Sequence, residues 1–399
     1  MSAKHIGILT GGGDVPGLNA AIKSVYMAAR DRGWLRKGSR DANVTGIRRG
    51  WWGSIHMGFD AGTAGPVEVV PLTDEIVRTV DRRGGTFLHT SRTRPDRVPL
   101  ADIPARLQRR LGELPRVKEG EEVFDLTAEV IRNLEGFGID CLVAIGGDDT
   151  LGYAHTLSTR GFPVVGIPKT MDNDVRGTEY AIGFETAIMR ADEFINRQRT
   201  HLASGEVVGV FRIFGRNAGF TALGTAMALS DIRCLIPEHR FDLEKLCLKV
   251  KEDHERSEQN YALVIISEGA IWEGGEIKRY GPPDPYGHRK KANVGEMLGD
   301  AITRVTGLST RVLDVTYDLR SGNPHALDKI IANTFGALAV ELIAQDKSDQ
   351  MVCLQGGVYS HTALPDPADG ARPVDVATYY DTERFRPRLS RQLGRPVFF

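Results

Sequence analysis

The sequence predicts an α/β chain of two doubly wound domains, each a mostly parallel sheet with helices on both faces. Three observations lead there. Short apolar runs ending in glycine or proline alternate with stretches whose apolar residues recur at helical spacing. Glycine is abundant, 45 of 399 residues, as tight turns between strands and helices require. The rhythm also begins twice, near the N-terminus and again past residue 206, so two sheets are expected.

Taken in order, "HIGILT" reads as a strand that ends in glycines, and "GLNAAIKSVYMAARDRG" as a helix stopping at Gly33. Residues 93–120, "TRPDRVPLADIPARLQRRLGELPRVKEG", are rich in Arg and Pro and break the rhythm. They read as an insertion with one short helix. "FDLTAEVIRNLEGFGI" is an amphipathic helix and "DCLVAIGG" a buried strand. "LGYAHTLSTRG" is helical, with Thr150 where the helix should begin, and "FPVVGIP" is the next strand. "VVGVFRIFG", "NAGFTALGTAMALS" and "YALVIISEGA" repeat the strand–helix–strand order in the second domain. Parallel sheets of this kind bind ligands beyond the carboxyl ends of their strands, where the strand order reverses.

Charge excludes some classes of function. With 51 basic and 52 acidic residues the chain offers no global attraction to nucleic acid or an anionic membrane, and neither is expected as a partner. Cys141, Cys234, Cys247 and Cys353 lie far apart with no C-x-x-C pair, so they read as reduced, mostly buried thiols. The N-terminus runs into "HIGILTGGG" without a basic-then-apolar leader. No stretch approaches the roughly 20 apolar residues of a membrane span. A cytoplasmic protein is expected.

Three strand ends carry polar clusters. "TGGGDVPGLN", residues 10–19, frees the backbone to approach a ligand and offers it a helix N-terminus. It is neither G-x-G-x-x-G nor a Walker loop, and a structural turn reads equally well. In "GGDDT" Asp148 and Asp149 follow Gly146 and Gly147. An Asp N-cap explains one acid, not two. In "GIPKTMDNDVRGTEYAIGF", Asp172 and Asp174 are two apart, so an extended segment would turn both carboxylates to one side. One could take a proton while the other steers a cation, and Lys169 and Thr170 supply donors for phosphate oxygens. "DND" alone also fits a solvated turn. Three such clusters at successive strand ends point toward phosphoryl transfer, which needs positioning and charge neutralisation.

"GGDVPGLNAAI", "RRGGTFLHTSR", "IGGDDT", "PKTMDNDVRGTEYAIGF", "FGRNAGF" and "IPE" occur in the order and approximate spacing of the 6-phosphofructokinase family, which the chain resembles from residue 4 to about 360. The resemblance implies two domains of the phosphofructokinase type with the active site in the cleft between them. Residues 1–183 with 319–361 would hold the donor, and 184–318 with 362–399 the sugar phosphate. It also implies a glycolytic kinase that uses Mg2+, with fructose 6-phosphate as acceptor. Asp172 matches the base acting on the sugar 1-hydroxyl, Asp174 its electrostatic helper and Asp148 a magnesium holder. Arg216, in the "FGR" with Phe214 and Gly215, matches a group stabilising the transferring phosphoryl; Gly12, Gly13 and Arg92 match positions lining the donor phosphates. Thr170, Glu238, Tyr317 and Arg320 fall at sugar-phosphate positions. Arg311 matches an arginine reaching a neighbouring subunit, which implies a homodimer or homotetramer.

The second acid then gains a meaning. ATP-dependent members are similar to one another in having "GGDG", whereas Asp149 puts an anion where a nucleotide α-phosphate would lie. Tyr153 adds bulk where those members have glycine near the ribose, and Lys169 suits a compact, highly charged donor. These residues resemble the pyrophosphate-dependent branch; the ATP-dependent branch is the alternative. The chain departs from the family at Val207, where an arginine normally reaches the sugar phosphate, and Arg199, Arg212 and Arg311 are possible stand-ins. A related sugar phosphate as acceptor stays open.

Overall fold

A computed structural model of the chain describes residues 3–58, 68–276, 279–282, 290–391 and 393–395. Seven strands form its larger sheet, in the spatial order Val358–Ala363, Gln350–Gln355, Val164–Pro168, Cys141–Gly146, Ile6–Thr10, Val44–Ile47, Val69–Pro71. The five inner strands run parallel, and the two edge strands are antiparallel to their neighbours. Alternate side chains of the central strands enter different cores. Ile8, Val143, Ile145 and Val165 join one apolar cluster, and Leu9, Leu142, Ala144 and Val164 the other. A sheet buried on both faces in this way needs near-continuous apolar strands, which is why those runs lack the polar alternation of a surface strand.

The strand after Ile6–Thr10 in sequence, Val44–Ile47, lies on one side of it, and Cys141–Gly146 lies on the other. The strand order reverses there. The glycine loop after Thr10 and the "GGDD" turn after Ile145 therefore open onto one crevice, with Thr10 paired to Ile145 in register. The smaller sheet has four parallel strands in the order Thr310–Asp314, Val208–Ile213, Ala262–Ser267, Arg233–Leu235. One apolar cluster runs through both sheets, from Ile8 and Val143 to Phe211 and Ile265. This is the α/β architecture the alternation implied.

Helix Phe184–Ser204 begins at the last residue of "GIPKTMDNDVRGTEYAIGF". Its start is fixed by Asp328, buried on helix Ala326–Ala344. Asp328 accepts hydrogen bonds from Gly183 N (2.7 Å), Thr186 N (2.8 Å), Thr186 Oγ1 and the Tyr180 hydroxyl (2.7 Å). A carboxylate at a helix N-terminus that satisfies free N–H groups is a stable arrangement even when buried.

Residues 93–120 form short turns around one four-residue helix, Ala105–Gln108. Ile103 and Leu107 are buried, and Arg106 ion-pairs with Glu129 and donates to Ile55 O at 2.6 Å. The four cysteines are free and buried. Among the described residues no helix is long and apolar enough to cross a membrane.

Two local readings need correction. The helix after "GG" spans Asp148–Thr159 with Gly147 as its N-cap and no capping side chain. It starts two residues before Thr150, and neither Asp is the cap. Both acids sit in the first turn, where the helix dipole favours them. The "DND" segment is not extended, because Asn173 is left-handed at φ 53°. The two aspartates flank a bend instead of alternating along a strand.

Candidate active site

The glycine loop is anchored by backbone hydrogen bonds from Gly11 N to Ile145 O (3.0 Å) and Gly12 N to Ser91 O (2.9 Å). The Thr90 hydroxyl donates to Gly12 O at 2.6 Å. A Cβ on Gly13 would lie 2.3 Å from Nη1 of Arg320, and one on Gly12 3.3 Å from Nζ of Lys169. Glycine at both positions lets two cations rest on the loop. Lys169 Nζ donates to Gly13 O at 2.6 Å and is buried. Burial, then the nearby Arg320, pull the Lys169 ammonium down to about 7; Arg92 adds to this while Asp14 and Asp174 oppose it. Arg320 lies with its guanidinium 4.4 Å from the Phe214 ring centre. A buried lysine with its ammonium pulled down among arginines could hold an anion.

The carboxylates gather on the facing side. Asp172 N donates to Thr170 Oγ1 at 3.1 Å. Asn173 is stapled to the following turn, its amide donating to Glu179 O (2.9 Å) while its Oδ1 accepts from Ala181 N (2.9 Å). The acids on either side are thereby fixed. Burial first, then like charge, raise all three carboxyls: Asp148 to about 7 beside Asp149 and Asp172, Asp172 to about 8 beside Asp174 and Glu268, Asp174 to about 7 beside Asp148. One oxygen of Asp172 is buried without a hydrogen-bond partner. Such crowding of negative charge asks for a cation. Among the described residues no three His, Cys, Asp or Glu side chains converge as a ligand set. Mg2+ takes one or two carboxylates and completes its shell with water and substrate phosphate, and Asp148 and Asp174 could supply those carboxylates.

On the second sheet, Phe214, Gly215 and Arg216 follow strand Val208–Ile213. Gly215 has φ 124°, and Arg216 Nε lies 3.5 Å from Glu268 Oε1. Arg216 and Arg320 both favour the charged form of Asp172. Glu238 Oε1 accepts from Gly219 N (3.0 Å) and Val374 N (2.8 Å), while its Oε2 is buried and unpartnered. Burial raises this carboxyl. Tyr317, 79 % exposed, meets Phe214 edge-on at 6.3 Å. With Asp14, Gly84, Gly85, Arg320, Ser321 and Gly322 it lines a cavity of about 420 Å³.

Hydrogen bonds, close packing and electrostatic contacts thus join Gly12, Gly13, Lys169, Arg320, Arg92, Asp148, Asp172, Asp174, Thr170, Phe214 and Arg216 into one cluster. Arg311 lies outside it, exposed on edge strand Thr310–Asp314 and donating to Thr310 O at 3.0 Å. Val207 is buried. Arg212 is held by Asp314 (2.5 Å) and Glu268 (3.3 Å). Arg199 donates to Tyr261 Oη, Leu229 O and Asn196 Oδ1.

Tyr153 requires another correction. It is fully buried, 4.7 Å edge-on from Trp51, with its hydroxyl donating to Thr127 Oγ1 at 3.3 Å. It supports the core beneath the helix and does not stand in the cleft. Tyr153→Gly is therefore expected to cost about 3–5 kcal/mol of stability, the range for emptying a buried aromatic site. Denaturant unfolding measures this; a loss below about 1 kcal/mol would contradict the packing described. The same helix is closed elsewhere too, since a Cβ on Gly152 would lie 2.8 Å from Pro367.

Three residues at the site escaped the sequence reading. Glu268 stands just past the "VIIS" strand, where the carboxyl-end rule should have marked it. Asp14 follows the glycines whose freedom drew attention away from it. Arg372 comes from a distant segment, and no local pattern announces it.

A family model described as Phosphofructokinase matches residues 5–343. A pyrophosphate--fructose 6-phosphate 1-phosphotransferase of Streptomyces coelicolor is 35 % identical over 385 residues, covering 95 % of this chain and 99 % of that one. An ATP-dependent 6-phosphofructokinase 3 of the same organism is 31 % identical over 381 residues, covering 95 % and 99 %. Among solved structures, the pyrophosphate-dependent phosphofructokinase of Nitrosospira multiformis superposes with TM-score 0.74 at 18 % identity, covering 100 % of this chain and 96 % of that one. That of Marinobacter aquaeolei gives 0.73 at 18 % identity, covering 98 % and 90 %. With the family model spanning most of its length, and a fold and cleft of the kind described, the chain belongs to the phosphofructokinase family.

Proposed function

We propose that the chain transfers a phosphoryl group reversibly between pyrophosphate and the 1-hydroxyl of fructose 6-phosphate, with Mg2+, in the cytoplasm. One observation carries the choice of donor. Lys169 and Arg320 lie directly on Gly12 and Gly13, while the helix beyond Asp149 is buried from Thr150 to Ala154. The cradle suits a short, highly charged anion, and the buried stretch 150–154 offers a longer donor no open surface just past Asp149. Names of relatives support the reading in part, since both pyrophosphate-dependent and ATP-dependent enzymes occur among them. The ATP-dependent kinase is the second reading.

In this proposal Gly12, Gly13, Lys169, Arg92 and Arg320 bind pyrophosphate. Asp149 supplies negative charge that disfavours a nucleotide. Arg320, which the family pattern places at the sugar phosphate, serves the donor end because it rests on Gly13. Asp148, backed by Asp174, would hold Mg2+, which when bound neutralises the transferring phosphoryl charge. Asp172 takes the proton from the 1-hydroxyl, and Arg216 stabilises charge on the moving group. Glu238 receives sugar hydroxyls with its free oxygen, beside Thr170, Phe214, Gly215 and Tyr317. Residues 1–183 with 319–361 form the donor domain, and 184–318 with 362–399 the sugar domain. Exposed on a sheet edge, Arg311 is free to reach the sugar phosphate of a second copy in a homodimer or homotetramer.

The test compares kcat/KM for pyrophosphate and ATP. Wild type is expected to work with pyrophosphate and hardly at all with ATP. Asp149→Gly is expected to raise ATP use about tenfold, since repulsion between unit charges about 4 Å apart is on the order of 1 kcal/mol in water and several times more in a protein site. Wild type that runs well on ATP would sink the donor assignment. A strict preference for pyrophosphate that Asp149→Gly leaves untouched would overturn the role of Asp149 alone.

A further inference from the structure

Residues 366–374 follow strand Val358–Ala363 and cross to a C-terminal hairpin seated beside the smaller sheet, where Cys234 N donates to Phe385 O (2.9 Å) and Tyr380 Oη to Cys234 O (2.7 Å). A plain connection would need no specific bonds on the way. This one makes them to Arg176, to the Asn173–Asp174 backbone and to Glu238. Pro367 covers Gly152 on the helix that carries Asp148. Arg176 Nε donates to Asp369 O (2.9 Å) and Gly370 O (2.8 Å). Arg372 N donates to Asp174 O at 2.7 Å, and Arg372 Nη2 to Asn173 O, also at 2.7 Å. Two residues on, Val374 N donates to Glu238 Oε1 at 2.8 Å.

We propose that Arg372 is a positioning residue for phosphoryl transfer, holding the Asn173–Asp174 backbone so that Asp172 stays aligned with the acceptor hydroxyl. The inference rests on the reading of Asp172 as the base. Asn173 keeps a left-handed backbone at φ 53°, a conformation uncommon outside glycine and best tolerated by asparagine, which needs partners to hold it in one place. Its side chain supplies two restraints and Arg372 supplies the third, on the carbonyl. The guanidinium is itself fixed flat, 4.2 Å from the Phe220 ring centre, which sets the direction of its N–H groups. Because Val374 braces Glu238, the same segment supports the base and the sugar grip together. Misplacement of a reacting group by about 1 Å can cost on the order of a hundredfold in rate.

The test uses the full-length chain with Arg372→Ala and Arg372→Lys. Arg372→Ala is expected to lower kcat about a hundredfold, to raise KM for fructose 6-phosphate several-fold, and to leave KM for pyrophosphate within about twofold. Arg372→Lys keeps one donor and is expected to recover kcat to within about tenfold of wild type. In ligand-free protein, amide exchange in residues 171–182 should quicken in Arg372→Ala while helix Leu18–Asp31 keeps its protection. An alanine variant with wild-type kcat and exchange overturns the proposal. So does one whose protection falls uniformly, which would make Arg372 a general stabiliser. Should Arg372→Ala fail to fold, Arg372→Gln replaces it with the same expected and overturning results. If wild type moves no phosphoryl group from pyrophosphate to fructose 6-phosphate, the proposed function fails on that ground, and the exchange comparison still judges the segment.

Discussion

Asp172→Asn is expected to lower kcat by about 10²–10⁴-fold, the contribution typical of a general base, with both KM values little changed. The substitution keeps the shape of the side chain and leaves the backbone bond from residue 172 to Thr170 Oγ1 intact. What it removes is a carboxylate that acts only as the hydroxyl proton departs, so the loss belongs in kcat. Stability should move the other way. The raised carboxyls, about 8 for Asp172 and about 7 for Asp148 and Asp174, keep protons in the folded chain that the unfolded chain releases near 4. Folded protein therefore binds more protons between about pH 4 and 8, and metal-free stability falls as pH rises through that window. Asp172→Asn removes part of that fall. Urea unfolding at pH 5 and pH 8 without divalent ions should show the wild type losing more than the variant. A variant with over a tenth of wild-type kcat would exclude Asp172 as the base.

Lys169→Met is expected to reduce kcat/KM for pyrophosphate by about 30-fold or more, since losing one member of a buried charge pair costs about 2–5 kcal/mol. Folding should suffer little, because methionine fits a buried site where the ammonium already pays a desolvation penalty. The sign of the pH effect follows from Lys169 being pulled down to about 7. Above that pH the ligand-free lysine is mostly neutral, and a bound polyanion raises its pKa again. Pyrophosphate binding should then take up close to one proton at about pH 8, and affinity should weaken as pH rises further. Calorimetry in two buffers of different ionisation enthalpy measures the uptake. Uptake that persists unchanged in Lys169→Met would assign the proton elsewhere.

Much of this architecture was legible because apolar period and glycine punctuation are local properties. The strands Ile6–Thr10, Cys141–Gly146 and Val164–Pro168 fall where the runs of Val, Ile and Leu placed them. The clusters at their ends met in one crevice because parallel strands share an end. What failed was orientation. Sequence alone puts the helix start at Thr150, but glycine caps that helix and draws both Asp148 and Asp149 into its first turn. Alternation misjudged "DND" because Asn173, bonded on both ends of its amide, bends the chain. Tyr153 shows the same weakness: the family resemblance puts it near the ribose of a nucleotide, and only packing against Trp51 and Thr127 reveals the core. Arg372 lies about 200 residues from the peptide it holds, beyond the reach of any motif.

The enclosure of Tyr153 bears on how such a chain could change over generations. Substitution at Tyr153 empties interior that keeps the fold and opens no room in the cleft. A lineage taking that step would lose about 3–5 kcal/mol at once, a large share of the 5–15 kcal/mol that typically separates folded from unfolded protein. Compensating substitutions around Trp51 and Thr127 would have to arrive first, before they brought any catalytic advantage. Change at this position is therefore ordered: substitutions that refill the space must come before the loss of the ring.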